Sequence, residues 1–183
     1  AHPGTLLAAL VAWLDARSTN GKLVLRFEDL DPQRSTPELR EQLQRDLDWI
    51  GLDWDAVQTQ SNRLDYYADA LEALAKDGRL YPCTCSRKDI KAHQRRSPDG
   101  GWCYPNTCRS QPLPPGGWQN VESSLRIRLD DVPIAIPDES GTAIEQNPGL
   151  EMGDPIARRR DGAYGYNLSA IVDDELAGVN RIV

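Results

Sequence analysis

All four cysteines of the chain fall in one stretch, Cys83-Thr84-Cys85 followed by Cys103-Tyr104-Pro105-Asn106-Thr107-Cys108. A Cys-x-Cys pair puts two soft sulfur donors on one short turn, and a second pair downstream can complete a tetrahedron around a borderline-soft ion. That is the usual construction of a structural zinc site. Disulfides are the weaker reading for a chain of this composition, and free thiols are the other alternative. Arg87, Lys88, Lys91, Arg95, Arg96 and Arg109 flank the cluster. They form a local cationic patch suited to phosphates, or equally a solvated charged helix.

Three further constellations could do chemistry. His2-Pro3-Gly4-Thr5 runs directly into a helix-like segment, where free backbone N–H groups and the helix dipole favour an anion such as phosphate. Arg26-Phe27-Glu28-Asp29-Leu30-Asp31-Pro32 sits at the carboxyl end of a strand-like run. In open α/β sheets ligands collect there, and Glu28 could pair with an ammonium group, although on this motif alone an ion-pair network that fixes the loop is the preferred reading. Asp161 to Ser169, with Tyr164, Tyr166 and the downstream pair Asp173-Asp174, could shape a polar pocket or form a core strand with an aromatic ladder.

The elements that must position these groups are read from periodicity. Leu6, Leu7, Leu10, Val11, Trp13 and Leu14 form a helical stripe that Asn20-Gly21 stops, with Gly21 suited to the left-handed position. Leu23, Leu25 and Phe27 alternate with Val24, Arg26 and Glu28 as a strand. Ser35-Thr36-Pro37-Glu38 starts a second helix, with Ser35 and Glu38 at capping-box spacing, and Gln60-Ser61 opens a third that ends near Asp77-Gly78. The first eighty residues thus read helix, strand, helix, helix, an α/β arrangement whose strands should lie parallel. After the metal segment and the linker Gln111-Pro112-Leu113-Pro114-Pro115-Gly116-Gly117, Leu125, Ile127 and Leu129 alternate with Arg126, Arg128 and Asp130 as a strand with one wet face. Asp161-Gly162 reads as a hairpin turn, Tyr166 to Val172 as an apolar run, and Gly178 to Val183 as strand-like.

Composition narrows the class. The 183 residues are 39% hydrophobic and 27% charged, with a formal net charge of -7. Mean hydropathy is -0.57 and no long apolar run suggests a membrane span. A surface that is basic throughout is excluded, although a local patch is not. The expectation is a cytoplasmic protein without membrane association.

In this order, the motifs resemble the glutamyl-tRNA synthetase family of class I aminoacyl-tRNA synthetases. His2-Pro3-Gly4-Thr5 is similar to its HIGH signature, and Leu25 to Arg34 looks like its RIEDTD-type segment. Arg158-Arg159-Arg160-Asp161-Gly162, Tyr164-Gly165-Tyr166-Asn167-Leu168 and Val172-Asp173-Asp174 resemble its late catalytic-domain segment. Within the family the likeness is closer to a short branch that glutamylates queuosine in the anticodon of tRNA(Asp). That branch carries a Cys-x-Cys … Tyr-x-x-x-Cys site, and Thr5 stands where the HIGH signature has its second histidine.

The resemblance implies a Rossmann-like α/β catalytic core, incomplete here, with an inserted zinc-binding module. Residues 1–80 would begin the core, 81–119 carry the zinc-binding insertion and linker, 120–160 complete the insertion with strands, and 161–183 return to the core. It implies ATP-dependent formation of glutamyl-adenylate, with L-glutamate, ATP with Mg2+, and queuosine-bearing tRNA(Asp) as substrates, by a monomer. His2, Gly4 and Thr5 would bind ATP, with His2 catalytic. Glu28 and Tyr166 would bind glutamate, and Cys83, Cys85, Tyr104 and Cys108 would hold structural zinc, with Cys103 the alternative to Tyr104. Neither the family's strand ahead of the HIGH segment nor its KMSKS-type loop occurs in these 183 residues. They are therefore expected not to activate glutamate by themselves, which ATP–pyrophosphate exchange would show. The alternatives are part of a synthetase that charges tRNA(Glu), and a non-catalytic zinc-stabilised RNA-binding module.

Overall fold

Proline has no N–H to lose in the first turn of a helix, and in the computed structural model α1 starts at one, running Pro3–Ser18. The structure describes residues 1–32, 34–138 and 141–183, so Gln33 of the Leu25–Arg34 segment lies outside the described residues. Two units form, residues 1–65 with 173–183, and residues 66–172.

In the first unit, α1 ends with Asn20 in the left-handed region at φ 53°, one residue before the expected Gly21. Asparagine tolerates that conformation through its short polar side chain. No side chain of α1 is buried among the described residues. β1 (Val24–Phe27) pairs in parallel with β2 (Ala56–Thr59), Val24 opposite Ala56 and Phe27 opposite Thr59. Alternation does not reveal β2, because the strand is short and Val57 on it is exposed. α2 (Pro37–Trp49) is capped by the Thr36 hydroxyl, which accepts from the Leu39 N–H, so the cap falls one residue later than the Ser35 spacing suggests. Gln60–Asn62 is a 3₁₀ turn, and α3 (Leu64–Lys76) begins only after it. Gln60 instead goes to the interior, where its amide and the Arg63 guanidinium both reach the fully buried Asp173, at 2.9 and 2.7 Å.

The parallel pairing expected of the first eighty residues holds for β1 and β2; the second unit is built differently. β3 (Leu80–Cys83), β4 (Ser124–Ile127) and β7 (Ile156–Arg158) make an antiparallel sheet in the order β3-β4-β7. Between β3 and β4 come the short α4 (Arg87–Ala92), the cysteine loop and a 3₁₀ turn at Trp118–Asn120. A hairpin of β5 (Ile134–Ile136) with β6 (Ile144–Gln146) and the four-residue α5 (Pro148–Glu151) precede β7. Asp161-Gly162 is indeed a turn, with the Arg159 N–H donating to the Ala163 carbonyl at 2.8 Å. The segment beyond that turn is helical: α6 spans Tyr166–Ala177, so neither a core strand nor an aromatic ladder forms there. No strand forms over residues 178–183.

Candidate functional site

β3 ends on Cys83, whose side chain is buried, and the chain leaves through Thr84 and Cys85 into a capping box. The Ser86 hydroxyl accepts the Asp89 N–H while the Asp89 carboxylate accepts the Ser86 N–H, so α4 starts immediately after the second cysteine. Cys108 arrives from the other side, after Asn106 takes a left-handed φ of 58°. Its N–H donates to the Tyr104 hydroxyl at 3.0 Å.

The thiols of Cys83, Cys85 and Cys108 lie within 4.8 Å of one another. The Tyr104 hydroxyl sits 3.3 Å from Cys83 Sγ and 4.0 Å from Cys85 Sγ, and Cys85 and Cys108 are 3.5 Å apart. Tetrahedral zinc with bonds of about 2.3 Å to sulfur and about 2.0 Å to oxygen needs donor separations of ~3.5–3.8 Å, so this donor set fits the ion. Cys103 faces elsewhere. Its sulfur lies 3.5 Å from the Leu150 carbonyl and 3.7 Å from that of Tyr104. All four cysteines are free thiols.

Burial opposes ionisation of Cys108, but hydrogen bonds from the Thr84 backbone, Tyr104, Cys85 and Cys83 bring it down to about 7. Cys85 is pushed up to about 11, first by burial and then by its bond to Cys108 and the neighbouring thiols. Burial, then the bond to Cys83, raises Tyr104 well above the usual phenol value.

Two residues that periodicity could not single out hold this group. Gly153 has φ +76°, and a Cβ there would collide with the Tyr104 carbonyl. The closeness lets the Tyr104 N–H reach the Met152 carbonyl at 2.9 Å. Arg126, placed on a wet strand face by alternation, is only 4% exposed. Its Nε lies 3.2 Å from Cys83 Sγ and its guanidinium 3.5 Å from the Tyr104 ring centre. The sequence signal was an arginine flanked by Leu125 and Ile127, which a two-residue period reads as outward.

The cationic patch divides. Arg109 belongs to the framework, donating to the Leu129 carbonyl at 2.5 Å and pairing with Asp154 at 3.4 Å. Arg87 and Lys91 stay exposed on α4, beside a cleft of about 540 Å³ that Trp102, Tyr104, Met152 and Asn167 also line. Arg96 stacks on Trp102 at 3.6 Å.

His2, Gly4 and Thr5 come together at the N-terminus of α1. The His2 ring caps the helix, its Nδ1 accepting the Gly4 N–H at 3.0 Å, and a Cβ on Gly4 would press on that ring at 3.1 Å. Glu28 follows β1 and is paired with Arg26 at 3.3 Å; Arg26 also reaches Asp174 at 2.5 Å, so the ion-pair network exists. Tyr166 is the first residue of α6, in the second unit, and is 65% exposed.

Comparison with known proteins adds to this geometry. The family model for the catalytic domain of class I tRNA synthetases (E and Q) matches residues 1–183. The chain is 39% identical over 183 residues to the glutamyl-Q tRNA(Asp) synthetase of Pseudomonas entomophila (strain L48), covering 100% of the chain and 58% of that protein. It is 41% identical over 200 residues to the protein of that name from Symbiobacterium thermophilum, again covering all of the chain and 61% of the relative. The chain thus spans about three fifths of the length of these relatives. A glutamate tRNA ligase from Elizabethkingia meningosepticum CCUG26117, solved in complex with its amino acid, shares the fold with a TM-score of 0.68 at 22% identity, over 94% of this chain and 38% of that one.

Proposed function

The chain belongs to the class I tRNA synthetases for glutamate and glutamine, as part of their catalytic domain, and on that premise we propose that its parent activates glutamate with ATP and transfers it to queuosine in tRNA(Asp). The observation that carries this reading is the 39–41% identity, over the whole chain, to proteins named for that reaction. The glutamate carboxylate attacks the α-phosphate of ATP, pyrophosphate leaves, and a hydroxyl of the queuosine ring then takes the glutamyl group and releases AMP.

The residues fit the roles by their chemistry. At the start of α1, His2 and Thr5 would offer an imidazole and a hydroxyl to the phosphates, whose charge Mg2+ would share, and Gly4 would let the nucleotide approach the backbone. Glu28 would hold the α-ammonium of glutamate, and Arg26 beside it fixes the carboxylate in place. Tyr166, exposed at the start of α6, would contact glutamate by the family resemblance alone. Zinc held by Cys83, Cys85, Cys108 and Tyr104 would cross-link the end of β3 to the cysteine loop and so order the inserted module. Arg87, Lys91 and Trp102 then present cations and an aromatic face to the RNA.

The test is glutamate transfer by the full-length protein to tRNA(Asp) with and without queuosine, and to tRNA(Glu). Transfer that requires queuosine is expected. Charging of tRNA(Glu) instead would establish a glutamyl-tRNA synthetase, and no adenylate formation at all would leave an RNA-binding module.

A further inference from the structure

Arg126 is a buried cation in the middle of β4, yet no carboxylate lies within ion-pair distance of it among the described residues. A guanidinium taken out of water without a counter-charge is strongly unfavourable, so such a residue has an anion elsewhere. Its Nε points at Cys83 Sγ from 3.2 Å, Nη1 donates to the Asp154 backbone carbonyl at 2.5 Å, and its plane lies 3.5 Å from the centre of the Tyr104 ring. All three contacts are to the cysteine cluster or to the backbone that frames it. A divalent ion on three thiolates leaves one surplus negative charge, and two if the phenol ionises. A metal-loaded cluster would supply the anion that Arg126 lacks.

We propose that Arg126 is the charge partner and positioning residue of this metal centre, offsetting its surplus negative charge and holding the Tyr104 ring so that the hydroxyl takes the fourth ligand place. The proposal rests on the reading of the cluster as a zinc site. Outer groups of this kind orient first ligands and typically change metal affinity by about 10- to 100-fold when removed. The carbonyl of Asp154 anchors one end of the fork. The other end is then free to serve sulfur, and the flat cation covers the aromatic face.

The sign of the stability effect separates this role from a purely structural one. In the metal-free protein the cluster carries less negative charge and Arg126 is left without its partner. Arg126→Met should therefore leave metal-free stability unchanged or higher, while weakening zinc binding by about 10- to 100-fold. Arg126→Lys, which keeps the charge but loses the fork and the stacking, should recover part of that affinity. Both are measured on the full-length protein by chelator competition for zinc, with urea unfolding of metal-free and zinc-loaded forms. The effects of Arg126→Met and Tyr104→Phe on zinc affinity should be non-additive, because one acts through the other.

A zinc affinity unchanged in both Arg126 variants, with metal-free and loaded forms destabilised alike, overturns the proposal and leaves Arg126 a strand cross-link. Should the methionine variant not fold, the lysine variant carries the same comparison. A wild-type protein that binds no zinc overturns the metal reading first, and this proposal with it.

Discussion

Cys103 and Tyr104 are chain neighbours, and consecutive side chains in extended backbone leave on opposite sides. Tyr104 turns to the three thiols and Cys103 to the Leu150 carbonyl. A second contact, the Cys108 N–H donated to the Tyr104 oxygen, favours electron density on that oxygen and suits a ligand. Cys103→Ser should therefore keep one equivalent of zinc by elemental analysis, with its affinity changed less than about threefold. Tyr104→Phe, which removes a ligand, should weaken the affinity by at least the ~10- to 100-fold of losing an outer group, and Cys108→Ser should lose it almost entirely. Zinc lost from Cys103→Ser and retained in Tyr104→Phe would reverse the assignment. Cysteine spacing made the donors legible, because ligand chemistry is written in residue type. The choice between adjacent donors was not legible, since it depends on which way each side chain leaves the loop. Arg126 was misread for a related reason: alternation assumes that polar means outward, and a cation facing buried sulfur breaks the assumption.

Elements join through a few polar contacts that periodicity cannot see. Asp55 holds the start of β1 against the segment entering β2: its carboxylate accepts the Leu23 N–H at 2.8 Å and pairs with Arg17 at 3.0 Å, while its own N–H donates to the Leu23 carbonyl. The Leu23 amide, then Arg17, keep its carboxyl below the ordinary carboxylate value of 3.8. A depressed folded pKa contributes stability that is fully present above the unfolded value and is lost as pH falls through the folded one. Asp55→Asn should thus lower the urea midpoint at pH 7, and the gap from wild type should close below about pH 4. A gap that persists unchanged at pH 3 would show that geometry alone matters there. Gly153 does for the second unit what no strand pattern announces. Gly153→Ala combines a positive φ with a collision at Tyr104, so a loss of about 1–3 kcal/mol is expected by urea unfolding. Helices α1, α2 and α3 were legible because stripes and caps are local signals. β2 was not, and neither was the antiparallel sheet of the second unit, because pairing partners lie far apart in sequence.

Across the whole molecule the charge is unevenly placed. The chain carries a net charge of -7, yet residues 87–96 hold five cations against one carboxylate. An acidic protein that binds RNA must do so through such a local surface while the rest of it repels the backbone. Arg96 is committed to the Trp102 ring and to the Gly100 carbonyl at 2.9 Å, which leaves Arg87, Lys88, Lys91 and Arg95 exposed; under the proposed function Arg87 and Lys91, beside the cleft, would be phosphate contacts. The two kinds of contact predict different salt behaviour. Lys91→Ala and Arg87→Ala should each weaken tRNA binding and reduce the slope of log affinity against log salt by about one. Trp102→Ala should cost about 1–3 kcal/mol if a base stacks on the ring, with the slope unchanged. Fluorescence anisotropy with the full-length protein between about 50 and 200 mM salt reads both quantities. Equal slopes in wild type and both cation variants would return α4 to the status of a solvated charged helix. A slope change for Arg87 and Lys91 with none for Trp102 would instead place phosphates along α4 and an unpaired base in the cleft beside the metal group.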